Sequence, residues 1–217
     1  MPTQTTRQRQ FKMKKVFLLT ALVSSFASAN DMSGFYLGAG IGNTDFDDAG
    51  YMNDVSHAIA RHSGASVPLT SDSDGSAYKL IAGYQINRIV AIEAQYTKYA
   101  DTDVKVQNVS ALKLSHDTFT VAANVGYTFD NGLRPFATLG LGSISYEVKE
   151  NVTGNNFKDS ESGGTVRLGV GLEYAPVMLG GLAFRAGYEV DHYTLETAFK
   201  DYDQSVGSWY VGSTYKF

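Results

Sequence analysis

The chain has 217 residues, no cysteine, 22 glycines and only four prolines, which excludes disulfides and thiolate metal sites and favours a β-rich barrel over a helical soluble domain. Beyond residue 29 it carries 13 basic and 22 acidic residues. The resulting net charge of −9 argues against a nucleic-acid partner.

The N-terminal segment has the layout of a secretory signal peptide. Met13-Lys14-Lys15 is basic, Val16–Phe26 is an apolar run too short to span a bilayer, and Ala27-Ser28-Ala29 fits an A-x-A cleavage site. We therefore expect residues 1–29 to be an N-terminal extension plus a cleavable signal peptide, with translation starting at Met13. The alternative is a cytosolic tail ahead of an uncleaved anchor.

The remaining residues, 30–217, are predicted to form one β-barrel domain. No later stretch is long and apolar enough for a transmembrane helix. A chain that crosses a bilayer without such helices must form a closed barrel, because lipid cannot hydrogen-bond to open strand edges.

Apolar and polar residues alternate with period two in eight segments, which predicts eight strands. The clearest alternation lies between His116 and Phe129, and Asp130-Asn131-Gly132 after it predicts a tight hairpin. The eight segments are Gly34–Phe46, Ser76–Gln85, Ile89–Tyr99, His116–Phe129, Leu133–Tyr146, Gly164–Ala175, Leu182–Tyr193 and Ser205–Phe217.

Short turns between these strands alternate with four long polar segments, which are predicted to be loops: Asp47–Gly75, Ala100–Ser115, Glu147–Gly163 and Thr194–Gln204. Within the first loop, Asn53–His62 predicts a short helix with Asn53 as its N-cap and Gly64 as its stop. Asp72–Gly75 predicts a turn into the second strand rather than a calcium loop, because the twelfth position is Gly83. The pattern as a whole predicts an eight-stranded antiparallel transmembrane up-and-down β-barrel.

The last strand has one apolar face with aromatic residues at both ends and one small or polar face. Its apolar face carries Trp209, Val211, Tyr215 and the terminal Phe217. It resembles the closing strand of bacterial outer-membrane β-barrels. In those proteins the C-terminal aromatic residue belongs to a signal that the barrel-assembly machinery reads, so the resemblance implies that these four residues form such a signal.

The chain from residue 30 onward resembles small eight-stranded barrels of the OmpA transmembrane-domain and opacity-protein type, within the porin-family outer membrane proteins. The resemblance implies a bacterial outer-membrane location and contact with outer-membrane lipid and lipopolysaccharide. It also implies assembly through periplasmic chaperones and the barrel-assembly machinery, a monomeric state, and external loops that contact host or environmental surfaces. We expect no cofactor and no metal, and the cell-wall anchoring role of OmpA's peptidoglycan-binding domain is not carried over to this chain.

Nine charged residues fall on the inward faces of the predicted strands: Lys79, Glu93, Arg134, Arg167, Glu173, Arg185, Glu189, Asp191 and Lys216. An eight-stranded barrel is only wide enough for its own side chains. Unpaired charges there would cost several kcal/mol each. We therefore predict an interlocked salt-bridge network that plugs the barrel, and a narrow gated pore in which the pairs rearrange is the alternative.

The four predicted loops hold fourteen acidic and six basic residues, so nearly all of the net charge lies outside the membrane. Such loops collect divalent cations or select the surfaces that the cell approaches. The simpler interpretation is that the loops are solvated and keep the protein soluble in transit.

Some small outer-membrane barrels are enzymes, with a histidine-containing constellation at the outer rim. The histidines here are His57, His62, His116 and His192. His192 and Asp191 point to opposite faces of their strand, and no deacylase or protease motif surrounds any histidine. We therefore expect solvent-exposed loop histidines without a catalytic or metal-binding role.

The sequence thus predicts a barrel with a structural or surface-interaction role, in adhesion or envelope integrity, that acts through acidic external loops. A small-solute pore is the first alternative. A lipid A-modifying enzyme is the second.

Overall fold

The computed structural model describes residues 33–64, 69–73, 75–106, 109–150, 158–196 and 201–217. The predicted signal peptide lies outside these ranges. The elements in chain order are β1 (Gly34–Asn43), β2 (Asp45–Asp47), α1 (Tyr51–Ser63), β3 (Leu69–Ser73), β4 (Ser76–Gln85), β5 (Val90–Lys98), β6 (Thr102–Val106), β7 (Val109–Gly126), β8 (Leu133–Glu150), β9 (Lys158–Tyr174), a 3₁₀ turn (Val177–Leu179), β10 (Leu182–Glu196) and β11 (Asp201–Lys216).

The eight long strands β1, β4, β5, β7, β8, β9, β10 and β11 form a closed antiparallel barrel in which each pairs with its neighbours along the chain. The barrel closes where β1 pairs with β11, in a register from Tyr36 opposite Lys216 to Gly42 opposite Tyr210. Closure leaves no open edge in the lipid-facing wall. The predicted eight-stranded antiparallel barrel is therefore confirmed.

Large apolar side chains point outward from the barrel along its whole circumference. Phe35, Leu141 and Trp209 are 69%, 68% and 65% exposed. On β7 this outward belt begins at Phe119, and the next outward residue above it, Asp117, is polar. Such a belt on a folded chain is the lipid-facing surface of a transmembrane barrel.

Within the described residues, no helix is both long enough and apolar enough to cross a membrane.

The short turns and the C-terminus lie at one end of the barrel, which faces the periplasm in outer-membrane barrels. The predicted turn at Asp130-Asn131-Gly132 is present, with Gly132 at φ 84°, a backbone conformation that favours glycine. Asn131 supports it, because its side-chain oxygen accepts a hydrogen bond from the backbone N–H of Leu133 at 3.1 Å.

At the other end, the strands run well beyond their predicted limits. The prediction of loops at Ala100–Ser115, Glu147–Gly163 and Thr194–Gln204 is wrong over much of their length. There, β6 and β7 form a hairpin, β8 and β9 continue to Glu150 and from Lys158, and β10 and β11 continue to Glu196 and from Asp201. Above the lipid, backbone pairing persists without an apolar outward face, so the hydropathy pattern ended before the strands did.

The first external segment contains the predicted helix, and α1 extends it at both ends. Asn53 is not the N-cap as predicted. That position belongs to Gly50, and Asp48 accepts a hydrogen bond from the backbone N–H of Met52 at 2.7 Å. Gly64 stops the helix in the left-handed region at φ 70°, as expected.

The segment that follows α1 is also not a simple turn. Leu69–Ser73 is the short strand β3, which pairs with β6, so Asp72 lies in a strand and not in the predicted turn. The pairing of β3 with β6 therefore joins the first external segment to the next external hairpin by backbone hydrogen bonds.

An apolar cluster fills the barrel's external end: Ala77, Tyr99, Ile144, Tyr193 and Val206, with Phe46 of β2 packed against it. Ile144 and Val206 are fully buried. These residues come from five strands and from Tyr99, which directly follows β5, so their packing ties the external hairpins to the barrel. The cluster covers the polar interior from the external side.

Candidate functional site inside the barrel

All nine charged residues predicted to face inward do point into the barrel. Seven are buried: Lys79, Glu93, Arg134, Arg167, Arg185, Glu189 and Asp191. Glu173 and Lys216 are half-buried near the periplasmic end. The side chains form two hydrogen-bonded clusters, one above the other.

The upper cluster is built around Arg167 of β9, which has no solvent exposure. Its Nε donates to Asp191 Oδ1 at 2.7 Å and its Nη2 to Asp191 Oδ2 at 2.5 Å, a bidentate pair between adjacent strands. Its Nη1 lies 3.6 Å from Glu189, and Glu189 also forms an ion pair with Lys79 of β4. Two cations thus face two carboxylates.

The lower cluster is built around Glu93 of β5, which has no solvent exposure. Its carboxylate accepts hydrogen bonds from Tyr36 at 2.5 Å and Asn124 at 2.9 Å, and forms an ion pair with Arg185 at 2.9 Å. Arg185 also donates to Glu173, through Nε at 3.0 Å and Nη2 at 2.8 Å. One guanidinium here serves two carboxylates.

Gln95 joins the two clusters. Its side-chain oxygen accepts from Arg167 at 2.6 Å, and its Nε2 donates to Glu93 at 2.6 Å. Because Gln95 is fully buried and neutral, it passes hydrogen bonding from one cluster to the other without adding charge. The clusters therefore fill the middle of the barrel with one continuous polar network.

Arg134 and Lys216 lie nearer the periplasmic end. Arg134 donates to the backbone carbonyls of Ile89 and Asn124, both at 3.4 Å. Lys216 donates to Gln85 at 3.4 Å. Both side chains border a cavity of about 430 Å³ at the periplasmic end.

The network also has neutral members that were not predicted from the sequence, among them Tyr36, Gln95, Tyr99, Thr118 and Asn124. Thr118 accepts from Arg167 at 2.7 Å, and Tyr99 donates to Asp191 at 2.7 Å. The signal was available, because all five stand at inward positions of the period-two pattern. Selecting by charge alone missed the groups that satisfy the remaining donors and acceptors.

The expectation of solvent-exposed histidines is wrong for His116, which is only 3% exposed. It lies above the lipid belt, with its ring 5.1 Å from that of Phe46 and its Nε2 3.4 Å from the Tyr193 hydroxyl. Burial lowers its pKa from 6.5 to about 4, partly opposed by Asp101. His57, His62 and His192 are exposed.

The four residues of the predicted assembly signal lie on the outer surface of the barrel. Trp209, Val211, Tyr215 and Phe217 are 65%, 60%, 46% and 73% exposed. Tyr215 and Phe217 form an edge-on ring pair with centroids 5.1 Å apart. The backbone N–H of Phe217 donates to the carbonyl of Phe35 at 2.9 Å, so the C-terminus is held at the barrel seam.

A closed antiparallel barrel with an apolar belt outside and a charged network inside is a transmembrane β-barrel. The chain belongs to the family of the outer membrane protein beta-barrel domain, whose model matches residues 16–217. Its members reside in the bacterial outer membrane. A search of curated protein sequences finds no match.

Solved structures of small outer-membrane barrels share this fold. Neisserial surface protein A aligns with a TM-score of 0.58 at 16% identity, over 86% of this chain and all of that one. The attachment invasion locus protein Ail of Yersinia pestis aligns with a TM-score of 0.51 at 17% identity, over 86% and 100%. OprG of Pseudomonas aeruginosa gives 0.51 at 13%, over 85% and 96%. At these identities the likeness concerns the fold.

Proposed function

We propose that this protein is a monomeric, non-conducting and non-catalytic surface protein of the outer membrane, which contacts other surfaces through its acidic external hairpins. The observation that carries the proposal is the closure of the barrel. The apolar cluster around Ile144 and Val206 caps the external end, and the network of Arg167 and Glu93 fills the middle. A solute would have to displace both layers.

The external hairpins provide the interacting surface. They rise above the lipid belt as paired strands and so present their outward side chains on a rigid frame. Asp45, Asp47, Asp201 and Asp203 lie exposed on the adjacent strands β2 and β11. A surface of this charge favours cationic partners, or the phosphate groups of lipopolysaccharide when divalent cations bridge the two.

One structural neighbour illustrates a different chemistry. Ail of Yersinia pestis has been solved in complex with the heparin analogue sucrose octasulfate, a polyanion. The external segments of the present chain hold fourteen acidic and six basic residues. Like charge repels a sulfated ligand, so we infer that this protein does not share that ligand class.

Two tests separate this proposal from its alternatives. The refolded protein in a planar bilayer should be electrically silent, and steady discrete openings would establish a pore instead. Lipid A from a deletion strain should have an unchanged mass spectrum, whereas an altered acylation pattern would identify an enzyme.

The binding surface is tested with a charge variant and a matched control. Cells that display the protein should adhere to a polycation-coated surface, and adhesion should fall as salt is added. Changing Asp45, Asp47, Asp201 and Asp203 together to Asn should weaken this adhesion several-fold. Asp130→Asn, at the periplasmic end, should leave it unchanged. Equal adhesion by both variants would refute the assignment of this surface.

A further inference from the structure

The periplasmic end of the barrel is a cavity of about 430 Å³, bordered by the turn residues Gly132 and Pro176 and by inward side chains of the strands. We propose that this cavity binds a small oxyanion, with Arg134 as its principal ligand. Arg185 and Lys216 assist, and the chemical group recognised is a phosphate or a similar multidentate oxyanion.

The charges around the cavity do not balance. Three cations, Arg134, Arg185 and Lys216, border it. Two carboxylates also border it: Asp130 is 97% exposed and lies 3.8 Å from Arg88, and Glu173 is bound by Arg185, which also neutralises Glu93 deeper in the barrel. Among the described residues Arg134 forms no ion pair. The cavity therefore carries excess positive charge.

The burial of Arg134 also favours a bound anion. The Arg134 side chain is only 3% exposed, and its two protein acceptors are backbone carbonyls at the long distance of 3.4 Å. A guanidinium that has left water without a counter-charge is costly, and buried charges in proteins are ordinarily paired. An anion in the adjacent cavity supplies the missing partner.

The residues around the cavity also hold hydrogen-bond donors without partners. Arg134 Nε, Arg185 Nη1 and the Thr128 hydroxyl are buried and have no hydrogen-bond partner, and all three residues border the cavity. Guanidinium groups present planar, paired donors that match the oxygens of phosphate and carboxylate. Two guanidiniums and a hydroxyl with free donors favour an oxyanion over a halide, which has no array of oxygens to match them.

The route to the cavity runs from the periplasm. The apolar cap closes the external end and the charge network separates the cap from the cavity. The same phosphate chemistry is offered by a free anion and by a phospholipid headgroup, so the test must separate these sources.

The test is a phosphate titration of the refolded protein in maltoside micelles, which contain no phosphate. Inorganic phosphate is added at constant ionic strength against sodium chloride, and binding is measured by calorimetry and by the temperature of the heat-modifiable gel shift. We expect a saturable heat and a rise in that temperature with phosphate but not with chloride. Equal responses to the two salts would overturn the proposal.

Variants locate the site. Arg134→Gln should weaken phosphate binding by about tenfold or more, since a hydrogen bond to a charged group is lost. Arg88→Gln removes a periplasmic arginine that does not border the cavity and should bind like the wild type. Glu173→Gln removes the competing carboxylate and should tighten binding several-fold. The Glu173→Gln variant also provides a test if Arg134→Gln fails to fold. Unchanged or weaker phosphate binding by Glu173→Gln would refute the assignment.

A second arm adds phosphatidylglycerol to the micelles without free phosphate. A temperature rise that Arg134→Gln abolishes assigns the site to a lipid headgroup. A response to inorganic phosphate alone assigns it to a soluble anion. If neither probe gives a response that depends on Arg134, the proposed site does not exist.

Discussion

Replacing Arg167 with Leu tests whether the interior network stabilises the barrel. The substitution removes both hydrogen bonds to Asp191 and those to Gln95 and Thr118. Asp191 would remain buried without its arginine, with the Tyr99 hydroxyl still donating to it. Breaking a buried ion pair on one side costs about 3–5 kcal/mol, because the other charge is left uncompensated.

Because Tyr99 still serves Asp191 and Lys79 still serves Glu189, we expect the lower end of this range, about 3 kcal/mol. For a chain of this length that corresponds to a fall of about 6–12 °C in melting temperature. The measurement is the temperature at which the heat-modifiable gel shift appears, with the refolded protein in micelles at pH 7.

A surface pair provides the matched control. Arg88 and Asp130 lie 3.8 Å apart, with side chains that are 43% and 97% exposed, so Arg88→Leu should change stability by less than about 0.5 kcal/mol. The double variant Arg167→Leu, Asp191→Leu should recover most of the loss, because no uncompensated charge remains from that pair. Two results would show that the network does not stabilise the barrel in this way. One is an equal melting temperature for Arg167→Leu and Arg88→Leu, and the other is a double variant whose loss equals the sum of the losses from Arg167→Leu and Asp191→Leu.

Three further predictions follow from single sites. Arg185→Leu should also lower the gel-shift temperature, since Glu93 and Glu173 lose their shared cation; an unchanged temperature would contradict this. Gly83→Val should cost about 1–3 kcal/mol in denaturant unfolding, because a Cβ there meets the Tyr36 ring, whereas Gly164→Ala, in open space, should be neutral. The folded-state pKa of His116 is about 4, below its ordinary 6.5, so the unfolded chain binds the proton first as the pH falls. Stability from this site should therefore be full above about pH 6.5 and fall by up to about 3 kcal/mol by pH 4. His116→Phe should remove that part of the pH dependence, and parallel loss in both proteins would contradict the assignment.

Local patterning accounts for the faces of the strands. A side chain's face depends only on its position in a period-two repeat, and a shift of one residue would expose the charged set to lipid. Lys79 and Arg167 could therefore be placed inside the barrel, and Phe119 and Trp209 outside, from the amino-acid order. The period-two pattern was less informative above the lipid. Around Ser115 of β7 and Glu147 of β8, both faces of the strand meet water or other hairpins, and the alternation fades.

The partners of the interior charges depended on the closed barrel. Arg167 meets Asp191 because the register of β9 and β10 places them opposite each other, but Lys79 meets Glu189 across the interior, from strands that are not neighbours. Arg134 lies opposite Glu173 in the register, yet that carboxylate binds Arg185. Burial of His116 likewise arises from hairpins folding over the barrel end. Residue order determines the face of each side chain, because that face depends on a local period. Barrel closure determines the distances between strands that are far apart in the chain. Those distances decide which charges pair and which guanidinium retains unpaired hydrogen-bond donors.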